Sequence, residues 1–176
     1  SAKTIKRVKE LAELYGYKPN PVAVSLKRNK TFTLGILIPD ILNHFFAKVL
    51  HGIEQEANQK GYKIIICLTN ESLDKEKEYL EMLEYNNVDG VIAALSQETQ
   101  MKADFSHFID FKSTEKPLLL FDRISDKIDC DKVVVDDHKA VEGVFEYLKN
   151  QGRKNIAVVS TIPHLSVSVA RLQGVM

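Results

Sequence analysis

The chain has 176 residues, 44% apolar and 27% charged, an ordinary balance for a soluble globular protein of one or two small domains. No apolar run approaches the roughly 18 residues of a membrane-spanning helix, and no signal peptide opens the sequence, so the expected compartment is the cytoplasm. The 24 basic residues balance the 24 acidic ones, but their distribution is uneven.

Residues 1–30 carry Lys3, Lys6, Arg7, Lys9, Lys18, Lys27, Arg28 and Lys30 against Glu10 and Glu13, a net of +6, and the remainder carries −6. A basic arm on an acidic body points to a polyanionic partner for the arm; a solvated basic helix is the plainer alternative. Ile5, Val8, Ala12 and Tyr15, with Leu11 beside them, predict an amphipathic helix over 4–16, capped by Ser1 or Thr4 and stopped at Gly16. One such helix cannot bury its stripe alone.

The stretch YKPNPVAVSLKRNK, residues 17–30, follows. Asn20 before Pro21 is a helix-start signal, and Pro19 holds Lys18 extended. The helix predicted over 21–28 is about two turns long and should be mostly unfolded alone, because nucleation is costly and few bonds follow. Val22 and Leu26 make a narrow apolar ridge ending in Lys27 and Arg28. That pattern suits a segment that folds against a partner helix and a phosphate backbone, with Leu26 wedged between base steps in the minor groove. A rigid linker with an incidental leucine is the alternative.

From Phe32 the texture changes. Apolar runs at 34–39, 63–69, 90–95, 117–122, 132–136 and 155–160 predict strands. Helical patterns lie near 45–60, 74–86, 99–112, 137–151 and 166–176. Near-continuous aliphatic runs are buried on both faces, and strand–helix alternation makes a doubly wound parallel α/β sheet. Several strands end at a polar residue (Asp40, Asn70, Ser96, Asp122), and ligands bind such sheets beyond the strands' carboxyl ends.

Cys67 and Cys130 lie far apart and match no metal spacing, so a reduced pair is expected, with a disulfide as the alternative. His44, His51, His107, His138 and His164 form no metal-ligand spacing, and no metal is expected. Enzyme motifs are missing: no G-x-G-x-x-G, no P-loop, no G-x-S-x-G. A receiver domain would need an acidic pair after the first strand, where Asp40 stands alone, and an aspartate where the third strand runs into Leu95-Ser96.

The segment SAKTIKRVKELAELYGYKPNPVAVSL, with Tyr17-x-Pro19-Asn20-x-x-Ala23-x-x-Leu26 as its specific part, resembles the last headpiece helix and the hinge helix of the lactose repressor (LacI/GalR) family of bacterial transcription regulators. The likeness continues through LGILIPDILNHFFAKVLHGIE, VDGVIAAL, PLLLFDR, VVVDDHKAV and GRKNIAVVS…LSVSVARLQG, and covers essentially all 176 residues.

The resemblance implies a periplasmic-binding-protein-like body behind an N-terminal helical arm. The divisions would be 1–16 (headpiece helix), 17–31 (hinge), 32–132 (first lobe) and 133–176 (an incomplete second lobe). It implies a homodimer without cofactor or catalysis, with operator DNA as partner and a small effector, a sugar or related metabolite, between the lobes. DNA contact falls on Ser1, Thr4, Tyr17, Asn20, Ala23 and Leu26. Effector contact falls on Phe45, Phe46, Asp122, Arg123 and Arg171. Effector binding would shift the lobes and change hinge pairing, an order–disorder switch. The family's helix–turn–helix belongs before Ser1 and about half of its second lobe after Met176, so the chain reads as cut at both ends.

Plainer roles compete at each position. One of Phe45 and Phe46 packs in the core; Asp122 and Arg123 make a surface ion pair; Arg171 is an exposed helix charge; Asp136 and Asp137 cap a helix; His44 is a polar surface residue. The rival function is a periplasmic-type sugar receptor that binds no DNA. Leu26→Ala is expected to weaken specific operator binding by about 1–3 kcal/mol. Titration of an operator duplex checks this, and unchanged affinity would remove the wedge role.

Overall fold

The computed structural model describes residues 1–18 and 30–175, in two compact units, Ser1–Thr31 and Phe32–Met176. The hinge helix expected over 21–28, with Asn20, Ala23 and Leu26, lies outside the described residues.

The first unit holds α1 (Ala2–Leu14). Ser1 caps it: its hydroxyl oxygen accepts the Thr4 N–H at 3.4 Å. The helix ends where Gly16 turns left-handed (φ 61°), and the Tyr17 N–H reaches back to the Ala12 carbonyl at 2.8 Å. That geometry is a glycine C-terminal cap, at the residue expected to stop the helix. No residue of α1 is buried, and Ile5, Val8 and Leu11 stand exposed in a row.

The second unit is a five-stranded parallel sheet in the order β2-β1-β3-β4-β5. The strands are β1 (Thr33–Ile38), β2 (Lys63–Leu68), β3 (Gly90–Ala93), β4 (Leu118–Phe121) and β5 (Asp131–Val133). The register pairs Leu37 with Cys67 on one side and with Ala93 on the other. Six helices join and flank the strands: α2 (His44–Gln59), α3 (Leu73–Tyr85), α4 (Gln97–Lys102), α5 (Ser106–Ser113), α6 (Asp137–Asn150) and α7 (Ser166–Gln173).

Successive strand side chains point to opposite faces, and β1 serves a core on each. Ile36 and Ile38 join Phe46, Leu50 and Phe121 on the α2 side. Leu37 joins Leu80, Leu83, Phe108 and Phe111 on the side of α3 and α5. Ile36, Leu37 and Ile38 are wholly buried. Burying each contributes roughly 1.5–3 kcal/mol. Cys67 lies in the second core, where burial pushes its thiol up to about 11. Cys130 is partly buried, and burial raises its thiol too.

The structure departs from the sequence reading at two places. The helix expected over 99–112 is two helices, because Ala103 takes a left-handed turn (φ 51°) and the Asp104 carboxylate then accepts the Ser106 N–H at 3.2 Å and its hydroxyl at 2.7 Å. The strand expected over 155–160 is not formed: a strand requires a hydrogen-bonded neighbour, and among the described residues this segment has none. Val159 is 89% exposed there, and Val133, Val134 and Val135 at the β5 edge are exposed as well.

A polar knot lies inside the α3 layer. Glu76, fully buried, accepts the Ser96 N–H at 3.0 Å, the Ser96 hydroxyl at 2.9 Å and the Thr99 hydroxyl. His107 lies 3.5 Å from the same carboxylate. This ties the end of β3 to the start of α4.

Glu76→Ala should therefore cost about 3 kcal/mol by orphaning the buried Ser96 N–H, read as a lower midpoint in urea unfolding. Gly35 faces α3 so closely that a Cβ would stand 2.5 Å from a Leu83 methyl. Gly35→Val should cost a further, independent loss of about 1–3 kcal/mol from overpacking, by the same measurement.

Candidate functional site

In this strand order β1 has β2 on one side and β3 on the other, so the connections leaving β1 and β3 diverge to opposite sides of a crevice at the carboxyl edge. Four segments emerge there: residues 39–43 after β1, 69–72 after β2, 94–96 after β3 and 122–123 after β4. Three of their residues hold left-handed backbone, Asn70 (φ 50°), Glu71 (φ 62°) and Asp122 (φ 56°). Asn and Asp tolerate that region well and glutamate less so, and non-glycine residues held there cluster at functional sites.

The α2 helix begins under the crevice. Asn43 caps it, accepting the Phe45 N–H at 2.9 Å, and Asp40 shapes the loop by accepting the Leu42 N–H at 2.8 Å. Phe45 and Phe46 part company at this helix start. Phe46 is 2% exposed, packed edge-on to Phe121 with ring centres 6.1 Å apart. Phe45 is 45% exposed and meets Phe46 edge-on at 5.3 Å. The residue that packs inside is thus Phe46, leaving Phe45 as the accessible ring. His44, the first residue of α2, is exposed.

Arg123 is 7% exposed. Its Nη1 donates to both carboxylate oxygens of Glu71, each at 2.7 Å, and its guanidinium carbon sits 5.3 Å from the centre of the Phe46 ring. Glu71 is itself anchored, accepting the Gln97 N–H at 2.7 Å. The partner of Arg123 is therefore Glu71 and not the adjacent Asp122, and the pair is buried on the arginine side.

Asp122 is half-buried. Burial pushes its carboxyl above the ordinary aspartate range; Arg123 pulls it down, Asp137 pushes it further up, and Arg171 pulls it down. Those influences place the four charged groups around one locus. Arg171, on α7, donates from Nε to Asp137 at 2.7 Å, with its side chain 51% exposed. Asp137 belongs to the first turn of α6, while its neighbour Asp136 is the cap, accepting the Lys139 N–H at 2.9 Å. So Phe45, Phe46, Asp122, Arg123 and Arg171 converge on one end of the sheet. Ser1, Thr4 and Tyr17 belong to the other unit, where all three are exposed.

Two members of this region escaped the sequence reading. Glu71 follows Asn70, a strand-end position that drew attention, but nothing near it in sequence signals a partner at Arg123. Phe121 read as one more apolar strand residue, although it floors the crevice beside Phe46.

The comparisons with known proteins agree with this architecture. The regulator PtxS of Pseudomonas putida is 35% identical over 158 residues, covering 89% of this chain and 44% of its own length. The repressor PurR of Aliivibrio salmonicida is 35% identical over 158 residues, covering 89% of this chain and 46% of its own length. The chain thus spans less than half the length of these relatives. The structure of the Cra regulator of Pseudomonas putida, in complex with fructose 1-phosphate, matches with a TM-score of 0.71 at 27% identity, over 81% of this chain and 52% of that one. Residues 31–176 match the model for periplasmic binding proteins and the sugar-binding domain of the LacI family, and the chain belongs to that family.

Proposed function

We propose that this chain is part of a LacI-type transcription regulator: a basic hinge arm that grips operator DNA, joined to a body that senses an uncatalysed small effector, most simply a sugar, and pairs as a homodimer. The observation that carries the reading is the convergence of Phe45, Asp122, Arg123 and Arg171 at the switch point of a parallel sheet, in a chain whose first 30 residues carry a net +6. The divisions proposed are those of the resemblance: headpiece helix 1–16, hinge 17–31, first lobe 32–132, second lobe from 133. Ser1, Thr4, Tyr17, Asn20, Ala23 and Leu26 are the proposed DNA contacts.

The chemistry of the crevice suits a hydroxylated ring. The exposed face of Phe45 offers a stacking surface, and the C–H face of a sugar packs against such a ring. The Asp122 carboxylate accepts from hydroxyls, and Arg171 donates from the second lobe. Phe46 and Arg123 hold the floor. A ligand touching Asp122 from one lobe and Arg171 from the other favours the closed arrangement of the lobes by its differential affinity for it. That preference is what reaches the hinge, and the basic residues there add a salt-dependent grip on phosphates.

The test measures duplex affinity at two salt concentrations on the full-length protein, with and without a panel of free sugars. Binding that weakens steeply with salt and responds to one sugar supports the proposal. Sugar binding with negligible DNA binding at both salts would favour the rival reading, a sugar receptor without DNA contact.

The raised carboxyl of Asp122 gives a second expectation. An acid raised in the folded state costs stability when ionised: the cost is absent below the ordinary aspartate range and complete above the raised value. Stability from this group therefore falls as pH rises through that window. Asp122→Asn, which suits the left-handed backbone, should abolish that fall in thermal melts across pH while weakening sugar binding by about 1.5–3 kcal/mol in calorimetry.

A further inference from the structure

We infer that the crevice selects uncharged polyhydroxy compounds and rejects their phosphate esters, and that Glu71 sets this preference. The inference rests on the crevice being the effector site.

A guanidinium beside a sugar site is an obvious handle for phosphate, since its planar fork matches phosphate oxygens. Here that charge is already matched. Glu71 presents both oxygens to Nη1 at 2.7 Å and is pinned in turn by the Gln97 N–H at 2.7 Å. The Phe46 ring holds the guanidinium from another side, 5.3 Å from its centre. A phosphate accepting from the remaining Nε and Nη2 edge would share the guanidinium with Glu71 and bring its own charge close to that carboxylate, a repulsion that grows as water is excluded.

The neighbouring charges point the same way. Asp122 is ionisable and half-buried, and Asp137 is paired with Arg171 at 2.7 Å. The cluster sets three carboxyl groups, Glu71, Asp122 and Asp137, against two guanidinium groups, Arg123 and Arg171. A phosphate dianion arriving there meets repulsion at reduced dielectric, and both guanidinium groups of the cluster already have acidic partners. A hydroxyl meets matched chemistry. It donates to Asp122, and it accepts from Nε and Nη2 of Arg123, which donate to no protein group among the described residues. The paired guanidinium thus supplies hydrogen-bond donors without net charge: a neutral polyol accepts from them at no electrostatic cost, whereas a phosphate ester adds negative charge beside three carboxyl groups.

The experiment uses the full-length protein, a panel of free monosaccharides with their phosphate esters, and inorganic phosphate. In the wild type, no ester should bind more tightly than its parent sugar by calorimetry, and inorganic phosphate should not raise the melting temperature above a control of equal ionic strength. Glu71→Gln keeps an acceptor for the Gln97 N–H but frees the Arg123 charge. It should shift the ester-to-sugar affinity ratio toward the ester by about ten- to a hundredfold and confer a phosphate-dependent rise in melting temperature. Adding Arg123→Gln should cancel both gains, and Glu71→Asp should leave the ratio near the wild-type value. A wild type that prefers an ester overturns the inference, whatever the variants do. So does a folded Glu71→Gln protein whose ratio and phosphate response are unchanged. If no sugar binds the wild type but Glu71→Gln still gains a phosphate response that Arg123→Gln cancels, the charge assignment stands and the sugar-site reading falls.

Discussion

Burial of β1 from both sides is the constraint on which this molecule rests. Ile36, Leu37 and Ile38 are wholly enclosed, the isoleucines by α2 and Phe121, the leucine by α3 and α5. A strand in that position must have neighbours on both edges and helices on both faces, and it has them. The chain leaves β1 for one edge strand and returns on its other side, which opens the sheet at the carboxyl end. The crevice is thus a by-product of packing a three-residue aliphatic run. Polar residues collect there because the backbone emerging from the core must turn and be solvated.

The charges in the crevice follow from the same geometry. Arg123 emerges directly from buried β4, beside Phe46, and has little room to seek water. Glu71, rising from the far edge of the sheet, answers it across the crevice. Each of the two turns involved carries left-handed backbone, so the pair also ties together two loops whose conformations would otherwise be costly to hold. The Asp122 side chain accepts no hydrogen bond among the described residues, and burial raises its carboxyl.

Much of this was legible in the residues. The first four strands read from their aliphatic runs: β1, β3 and β4 are buried on both faces, which leaves no polar positions to interrupt them, whereas β2 at the edge has the same composition but keeps Ile66 exposed. Of the helix starts after Phe32, only Asp136 read as a cap; Asn43, Ser72 and Ser96 cap theirs in the same way, each side chain accepting a backbone N–H of the first turn. Gly16 read as a stop for the same local reason. What failed depended on distance. The segment 155–160 has strand composition, but a strand is a property of a pair, and no local pattern supplies the neighbour. Ala103 gives no sign of its left-handed turn. The Glu71–Arg123 contact joins residues 52 apart, so the sequence offered Arg123 an effector or the adjacent Asp122, and the fold pairs it with Glu71. The two phenylalanines could not be told apart until the helix phase assigned one to the core and the other to solvent.

The state of the two thiols has a practical consequence. Cys67 is sealed in the core with its thiol pushed up to about 11, and burial raises Cys130 as well, so neither offers much thiolate near neutral pH. Alkylating dyes would therefore ignore the native sulfurs and react with a cysteine placed at an exposed site. A dye at such a site reports on its surroundings with Cys67 and Cys130 left in place.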